Sequence, residues 1–312
     1  VRRPALLTAV ALLAGLLTAC GGGSSADTDT SGLPEVSGGG YGDKPKITIP
    51  EGEDPPKKLE TEVLEEGDGP AVKKGDLLVA DYLGATWRNG KTFDNSYDRG
   101  NPAAFTLTDG QGGVISGWVK GLAGAKAGSR VLMVVPPEDG YGTQGNPQAG
   151  IKGTDTLVFV VDVIASYNGD TGLPERTAAT DLPEGIPTVS GEENPTVSVP
   201  KGTEPPKEPE TTVLAEGTGD DVVKDELAIV QFTAVDWTGK ALSSSWERGP
   251  QGFPIGVEGQ PSPFDLLEGV PTGSRVLLQL PAPAEDDPRT DSVAVVIDVL
   301  GQHGSAKKES NG

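Results

Sequence analysis

The sequence predicts an α+β protein built as two tandem copies of one plan, each a twisted antiparallel β-sheet wrapped around one short helix. Three observations lead there. Segments of the first half recur in order in the second, strand-like runs dominate each copy, and a single helical pattern interrupts them.

The repeat comes first. Pro45-Lys46-Ile47-Thr48-Ile49-Pro50 aligns with Pro195-Thr196-Val197-Ser198-Val199-Pro200, and Glu53-Asp54-Pro55-Pro56-Lys57 with Thr203-Glu204-Pro205-Pro206-Lys207, both at an offset of 150. Gly128-Ser129-Arg130-Val131-Leu132 returns as Gly273-Ser274-Arg275-Val276-Leu277, and Val160-Val161-Asp162-Val163-Ile164 as Val296-Ile297-Asp298-Val299-Leu300. These later offsets are shorter, so the second copy has lost loop residues. A repeat of this length is a tandem domain and not a solenoid.

Within the first copy, 77–87, 131–135 and 157–164 are β-branched or aromatic runs bounded by turn residues, and they predict strands. Arg88-Asn89-Gly90-Lys91 supplies an Asn-Gly hairpin turn. Trp118, Leu122 and Ala125 fall at i, i+4 and i+7, which predicts a helix over 116–125.

The ends read differently. Arg2 and Arg3 precede an apolar run over 5–17, too short to span a bilayer, and Leu17-Thr18-Ala19-Cys20 resembles a bacterial lipobox. In such a motif the Cys is lipidated, and the single Cys of the chain stands at that place before a Gly/Ser-rich stretch. The expected organisation is a lipoprotein signal peptide over 1–20, a flexible tether over 21–43, a first domain over 44–167, a linker over 168–194, a second domain over 195–302 and a polar tail over 303–312. The expected location is extracytoplasmic, on the outer face of the cell membrane, held through Cys20. His303 falls in the tail and reads as structurally idle.

Composition narrows the chemistry. With 25 Lys and Arg against 46 Asp and Glu the net charge is −21, and no basic face is available for nucleic acid. One Cys and one His build neither a metal cluster nor a Cys/His or Ser/His/Asp catalytic group. No cofactor is expected.

From about Val63 to Ser166 the chain resembles an FKBP-type peptidyl-prolyl cis-trans isomerase. The resemblance is carried by Tyr82-Leu83-Gly84, Asn89-Gly90-Lys91-Thr92-Phe93-Asp94-Asn95-Ser96, Arg99-Gly100-Asn101-Pro102, Val114-Ile115-Ser116-Gly117-Trp118, Gly121-Leu122-Ala123-Gly124, Pro136-Pro137-Glu138-Asp139-Gly140-Tyr141-Gly142 and Thr156-Leu157-Val158-Phe159. It implies that Trp118 floors a pocket for the substrate proline and that Tyr82, Phe93, Val114, Ile115 and Phe159 wall it. Tyr141 and the Ile115 backbone N–H would bind substrate carbonyls, while Asp94 and Arg99 hold the rim. Implied partners are proline-containing polypeptide clients and rapamycin-like macrolides. Ala103 stands where the family usually has Phe, Asn146 where a His is often found, and one residue is added before Ile151. These departures bear on substrate preference and macrolide affinity.

The second copy keeps the strand residues and loses the site. Tyr82 becomes Phe232, Phe93 becomes Leu242, Asp94 becomes Ser243 and Phe159 becomes Val295. Trp118 falls opposite Pro263, with Phe264 beside it, and the Tyr141 loop shrinks. Arg248, matching Arg99, is kept. The expectation is a degenerate FKBP-like domain. The leading functional expectation is a foldase for secreted or cell-envelope proteins, and the alternative is a non-catalytic chaperone or scaffold that grips proline segments. A solute-binding transport lipoprotein needs two larger lobes around a cleft, and the repeat argues against it.

Overall fold

The computed structural model describes residues 32–110, 112–169, 171–282 and 292–306 of the 312. Cys20 and the whole N-terminal address lie outside the described residues. Among the described residues no helix is long and apolar enough to cross a membrane.

In the first copy β1 (Glu35–Ser37) and β2 (Lys46–Thr48) form a hairpin. A six-stranded antiparallel sheet follows, made of β3 (Glu60–Glu65), β4 (Leu77–Thr86), β5 (Thr92–Asn95), β6 (Ala103–Thr106), β7 (Arg130–Val135) and β8 (Leu157–Tyr167). Its order is β3-β7-β8-β4-β5, with β6 also pairing β4. The helix α1 (Ser116–Leu122) packs on one face through Trp118, Val119 and Leu122. It is shorter than the periodicity predicts: Ala123 is already extended, with φ −62° and ψ 121°. Ala125 still packs on the core, because its carbonyl accepts from the N–H of Val72.

The second copy repeats this order. β9 (Arg176–Ala178), β12 (Glu210–Gly217), β13 (Leu227–Asp236), β14 (Ala241–Ser244), β15 (Gln251–Pro254), β16 (Arg275–Leu280) and β17 (Val293–His303) form a seven-stranded sheet. Its order is β14-β13-β17-β16-β12-β9, with β15 on β13, and β10 (Thr188–Ser190) pairs β11 (Thr196–Ser198) as a separate hairpin. The expected second helix is a 3-10 turn over Pro263–Leu267, capped by Ser262 and Asp265. Pro at its first turn costs no hydrogen bond there, but a five-residue turn gives no room for an α-helix.

β4, β7 and most of β8 are buried on both faces, which explains why they read as continuous apolar runs and not as alternation. One face packs on α1. The other is covered by the β1-β2 hairpin through Leu33, Val36, Ile47 and Ile49. The same cover recurs in the second copy, where Ile186, Val189 and Val199 lie on Val235, Leu277 and Val296.

This corrects three expectations. Residues 32–43 are no tether, because their hairpin covers the sheet and the carbonyls of Gly39 and Asp43 accept from Arg130. Part of the expected linker is structure as well, since β9 extends the second sheet and β10 belongs to the covering hairpin. His303 is not idle in a tail. It ends β17, and its Nε2 lies 2.7 Å from the Tyr167 hydroxyl of the first copy. Polar composition suggested loops, but single apolar residues such as Val36 and Val189 were enough to seat short strands.

A buried ion pair ties each hairpin to its sheet. Arg130 and Asp162 are almost fully enclosed, at 1% and 0% side-chain exposure, and two guanidinium nitrogens reach the carboxylate at 2.7 Å each. Gly42 N–H and the Tyr97 hydroxyl also donate to Asp162, each at 2.8 Å. Burial, then the Asp162 charge, raise the Tyr97 phenol far above its usual range. Arg275 and Asp298 rebuild the pair in the second copy, with Arg275 donating to the carbonyls of Gly191 and Glu192. Buried charges are tolerated where they are paired and hydrogen-bonded in this way.

The two sheets meet through Leu77, Val79 and Ile164 on one side and Leu227, Ile229 and Ala306 on the other. A register slip after Val79 leaves Ile164 unpaired on β8, and the matching slip after Ile229 leaves Leu300 unpaired on β17. Both bulged residues pack into the join, where a bulge re-aims side chains.

Candidate active site

On the helix-bearing side of the first sheet a cavity of about 550 Å³ opens beside α1. The elements that build it are set by the sheet: Tyr82 stands on β4, Phe93 and Asp94 on β5, Phe105 on β6 and Phe159 on β8. Trp118, on the first turn of α1, is 3% exposed and forms the floor. Tyr82, Phe105 and Phe159 stand edge-on around its ring with centroids 5.5, 5.0 and 5.4 Å away. Phe93 in turn stands edge-on to Phe159 at 5.7 Å. Edge-to-face contacts set the positive edge of one ring against the negative face of the other, which fixes the cluster.

Gly84 is required by this arrangement. A Cβ there would come within 2.6 Å of Phe93 and 2.8 Å of Phe159. Any larger residue would push one wall off the floor.

The rim is polar. Tyr82 Oη donates to Asp94 Oδ2, and Arg99 donates to Asp94 Oδ1 at 2.7 Å and to the Tyr82 oxygen at 2.9 Å. The guanidinium also lies 5.5 Å from the Tyr82 ring centre. Burial, reinforced by the Asp94 hydrogen bond, pushes the Tyr82 phenol up to about 12. Burial works to raise the Asp94 carboxyl too, but the hydrogen bonds from Tyr82 and Arg99 outweigh it and hold it below its usual range. The phenol is therefore neutral, its proton is committed to Asp94, and the carboxylate is ionised at neutral pH.

Two donors remain uncommitted. The backbone N–H of Ile115 and the hydroxyl of Tyr141 have no partner among the described residues, and both residues line the cavity. Tyr141 is 38% exposed. Its loop is fixed to α1 by Asp139, which accepts from Ser116 Oγ at 2.7 Å and pairs with Lys120. The Lys120 and Ser116 hydrogen bonds keep the Asp139 carboxyl below its usual range.

Eight of the sequence-identified residues, Tyr82, Phe93, Asp94, Val114, Ile115, Trp118, Tyr141 and Phe159, line this one cavity, and Arg99 sits behind Asp94 and Tyr82. Phe105 was missed. The signal was present: Phe105 lies two residues after Ala103, so it keeps the same face of β6, and its ring occupies a wall. Asp109, Gly113 and Glu138 also border the cavity.

The second copy places different groups here. Phe264 stacks on Phe253 with centroids 3.6 Å apart and planes inclined by 13°, and Phe232 meets both edge-on. Arg248 donates to Ser243 Oγ and the Ser244 carbonyl in place of a carboxylate.

The sequence model of FKBP-type peptidyl-prolyl cis-trans isomerases matches residues 69–164. The chain is 39% identical over 123 residues to an FK506-binding protein of Streptomyces anulatus, a match covering 39% of this chain and 97% of that protein. It is 34% identical over 126 residues to a probable FK506-binding protein of Corynebacterium glutamicum, covering 40% and 99%. It is also 46% identical over 103 residues to the FKBP-type peptidyl-prolyl cis-trans isomerase FkpA of Escherichia coli (strain K12), covering 33% of this chain and 36% of that protein.

Proposed function

The chain belongs to the FKBP-type peptidyl-prolyl cis-trans isomerase family, and from that membership we propose that its first copy isomerises X-Pro bonds by enclosing the proline ring over Trp118. The observation that carries the reading is the set of aromatics edge-on to Trp118 at the base of a cavity that opens to solvent.

The barrier to rotation, about 18–20 kcal/mol, reflects lost amide resonance. Resonance places partial charge on the amide oxygen and nitrogen, so an aromatic, water-poor pocket disfavours the planar ground state relative to the twisted one. Because the Tyr82 proton is held by Asp94, the substrate-facing donors are Ile115 N–H and Tyr141 Oη, which would hold flanking carbonyls while the amide turns. No proton moves and no covalent bond forms. Reducing a time of tens of seconds to milliseconds takes about 5–6 kcal/mol of differential stabilisation.

The clients in this reading are proline-containing secreted or cell-envelope proteins, met outside the membrane by a chain anchored through Cys20. The lipobox-like Leu17-Thr18-Ala19-Cys20 supports the anchoring. Macrolides would compete for the same cavity, as the names of two relatives suggest, with Phe105 supplying the wall that Ala103 does not. The second copy is non-catalytic, its corresponding place being taken by stacked Phe253 and Phe264.

The test is cis-trans isomerisation of a short X-Pro peptide by the chain and by its Trp118→Leu and Asp94→Val variants. Turnover that falls in both variants supports the reading. Binding of the peptide without turnover would replace it with the chaperone or scaffold reading.

A further inference from the structure

The second copy does more than follow the first along the chain, because β15 lies against β6. A Cβ placed on Gly252 would stand 2.7 Å from the Ala104 Cβ, closer than carbon atoms pack, and a tight 3.3 Å from Leu227 Cδ2. Ala104 and Phe105 are neighbours on β6 and so point to opposite faces. Ala104 packs into the join between the copies, and Phe105 enters the catalytic cavity. Gln251 and Gly252 also border a crevice of about 210 Å³ whose far wall includes Phe105, Gly113 and Val114. Those three residues line the catalytic cavity as well, so they form a partition with the second copy on one side and the substrate space on the other.

Inside the first copy Phe105 meets Tyr82 and Trp118 edge-on, but the strand that carries it is short. β6 is a four-residue strand at the sheet edge, held to β4 by four residue pairs, and Gly110, Gly112 and Gly113 follow it. The second copy, by contrast, is fixed firmly. Leu227, Ile229 and Ala306 are buried in the join, the His303 ring meets the Tyr167 hydroxyl, and Ala306 N–H donates to Asp81 at 2.8 Å.

We propose that the second copy is a working part of the first copy's isomerase site: β15 backs β6 and thereby sets Phe105 and Val114 against the substrate, with Gly252 as the positioning residue. The proposal rests on the reading of the cavity as the isomerase site. A displaced wall weakens contacts made to the proline in both its planar and twisted forms, so it raises KM. General destabilisation lowers the active fraction instead, which lowers apparent kcat and leaves KM alone.

The experiment uses the full chain and a short X-Pro peptide. Gly252→Val is expected to raise KM about five-fold with kcat within about two-fold, and adding Ala104→Gly to that variant should recover most of the loss. Leu227→Gln, which makes the join polar without adding bulk, should raise KM in the same direction. As a control, Val276→Ala thins the second copy's own core and should leave KM unchanged. An unchanged KM in both Gly252→Val and Leu227→Gln overturns the proposal, as does failure of Ala104→Gly to rescue. Lack of turnover by the unsubstituted chain would strike the isomerase reading alone. The Kd of the same peptide, followed by tryptophan fluorescence, would then carry the comparison, and a Kd unmoved by Gly252→Val would overturn the positioning role.

Discussion

In the first copy Trp118 lies under an open cavity, ringed by three aromatic edges, with a Tyr82–Asp94–Arg99 cluster on the rim. In the second, Pro263 and Phe264 take that place on a 3-10 turn, Phe264 stacks on Phe253, and Arg248 settles on serine and backbone oxygens. Around this difference the frame is the same. Arg130–Asp162 and Arg275–Asp298 hold the covering hairpins, and Ser129 and Ser274 each accept from the backbone N–H of a glycine, Gly67 and Gly217. The two bulges recur too. The comparison separates two demands on one fold: the ion pair, bulges and strand runs hold the sheet, whereas the aromatic floor and polar rim can be exchanged without disturbing it.

The largest effect should come from the shared frame. Arg130→Ala leaves Asp162 charged and enclosed, at a cost of about 3–5 kcal/mol of unfolding free energy. Arg275→Ala should cost less, because Arg176 also pairs with Asp298. Denaturant unfolding of both variants measures this, and equal losses would break the inferred role of Arg176.

Next comes the floor. Trp118→Leu should reduce kcat/KM on a short X-Pro peptide on the order of ten- to a hundred-fold, while Phe264→Leu, in the stacked pair that takes the corresponding place in the second copy, should leave kcat unchanged. A loss of kcat in the second variant as large as in the first would show that the second copy's aromatic pair takes part in turnover itself.

The rim sharpens the comparison through pH. The Tyr82 phenol is raised to about 12 in the fold, by burial and then by Asp94, against about 10 in an unfolded chain. Its stabilising contribution is therefore fully present below about pH 10 and is lost as pH rises from about 10 to about 12, on the order of 2 kcal/mol. Tyr82→Phe, which makes the position match Phe232, should flatten that part of the unfolding free energy measured between pH 8 and 12. A dependence that persists in the variant would assign it to another group.

The smallest expected effect is a null one. Pro263→Trp places an indole at the floor position of the second copy but supplies neither a carboxylate in place of Ser243 nor a tyrosine loop, so turnover should not rise above that of the unsubstituted chain. Any gain in isomerisation would mean that the floor alone suffices.

The repeat and the central strands were legible in the sequence itself, and nine site residues through its resemblance to FKBP-type isomerases. Strands buried on both faces leave continuous β-branched runs, and the family's short motifs recur in order along the chain, so the resemblance could name site residues on strands, helix and loops alike. Tertiary structure decided the rest. Residues 33–43 and 176–190 read as spacer because short covering strands need only one or two apolar contacts, such as Val36 and Val189, and those contacts exist only once a sheet is present to receive them. The helix expected in the second copy is a five-residue 3-10 turn, whose Phe264 stacks on Phe253 of a neighbouring strand. Phe105 entered the pocket, and His303 met Tyr167, through pairings of residues distant in sequence. Periodicity reports which face of a strand is buried. What it is buried against follows from how the sheets close on one another.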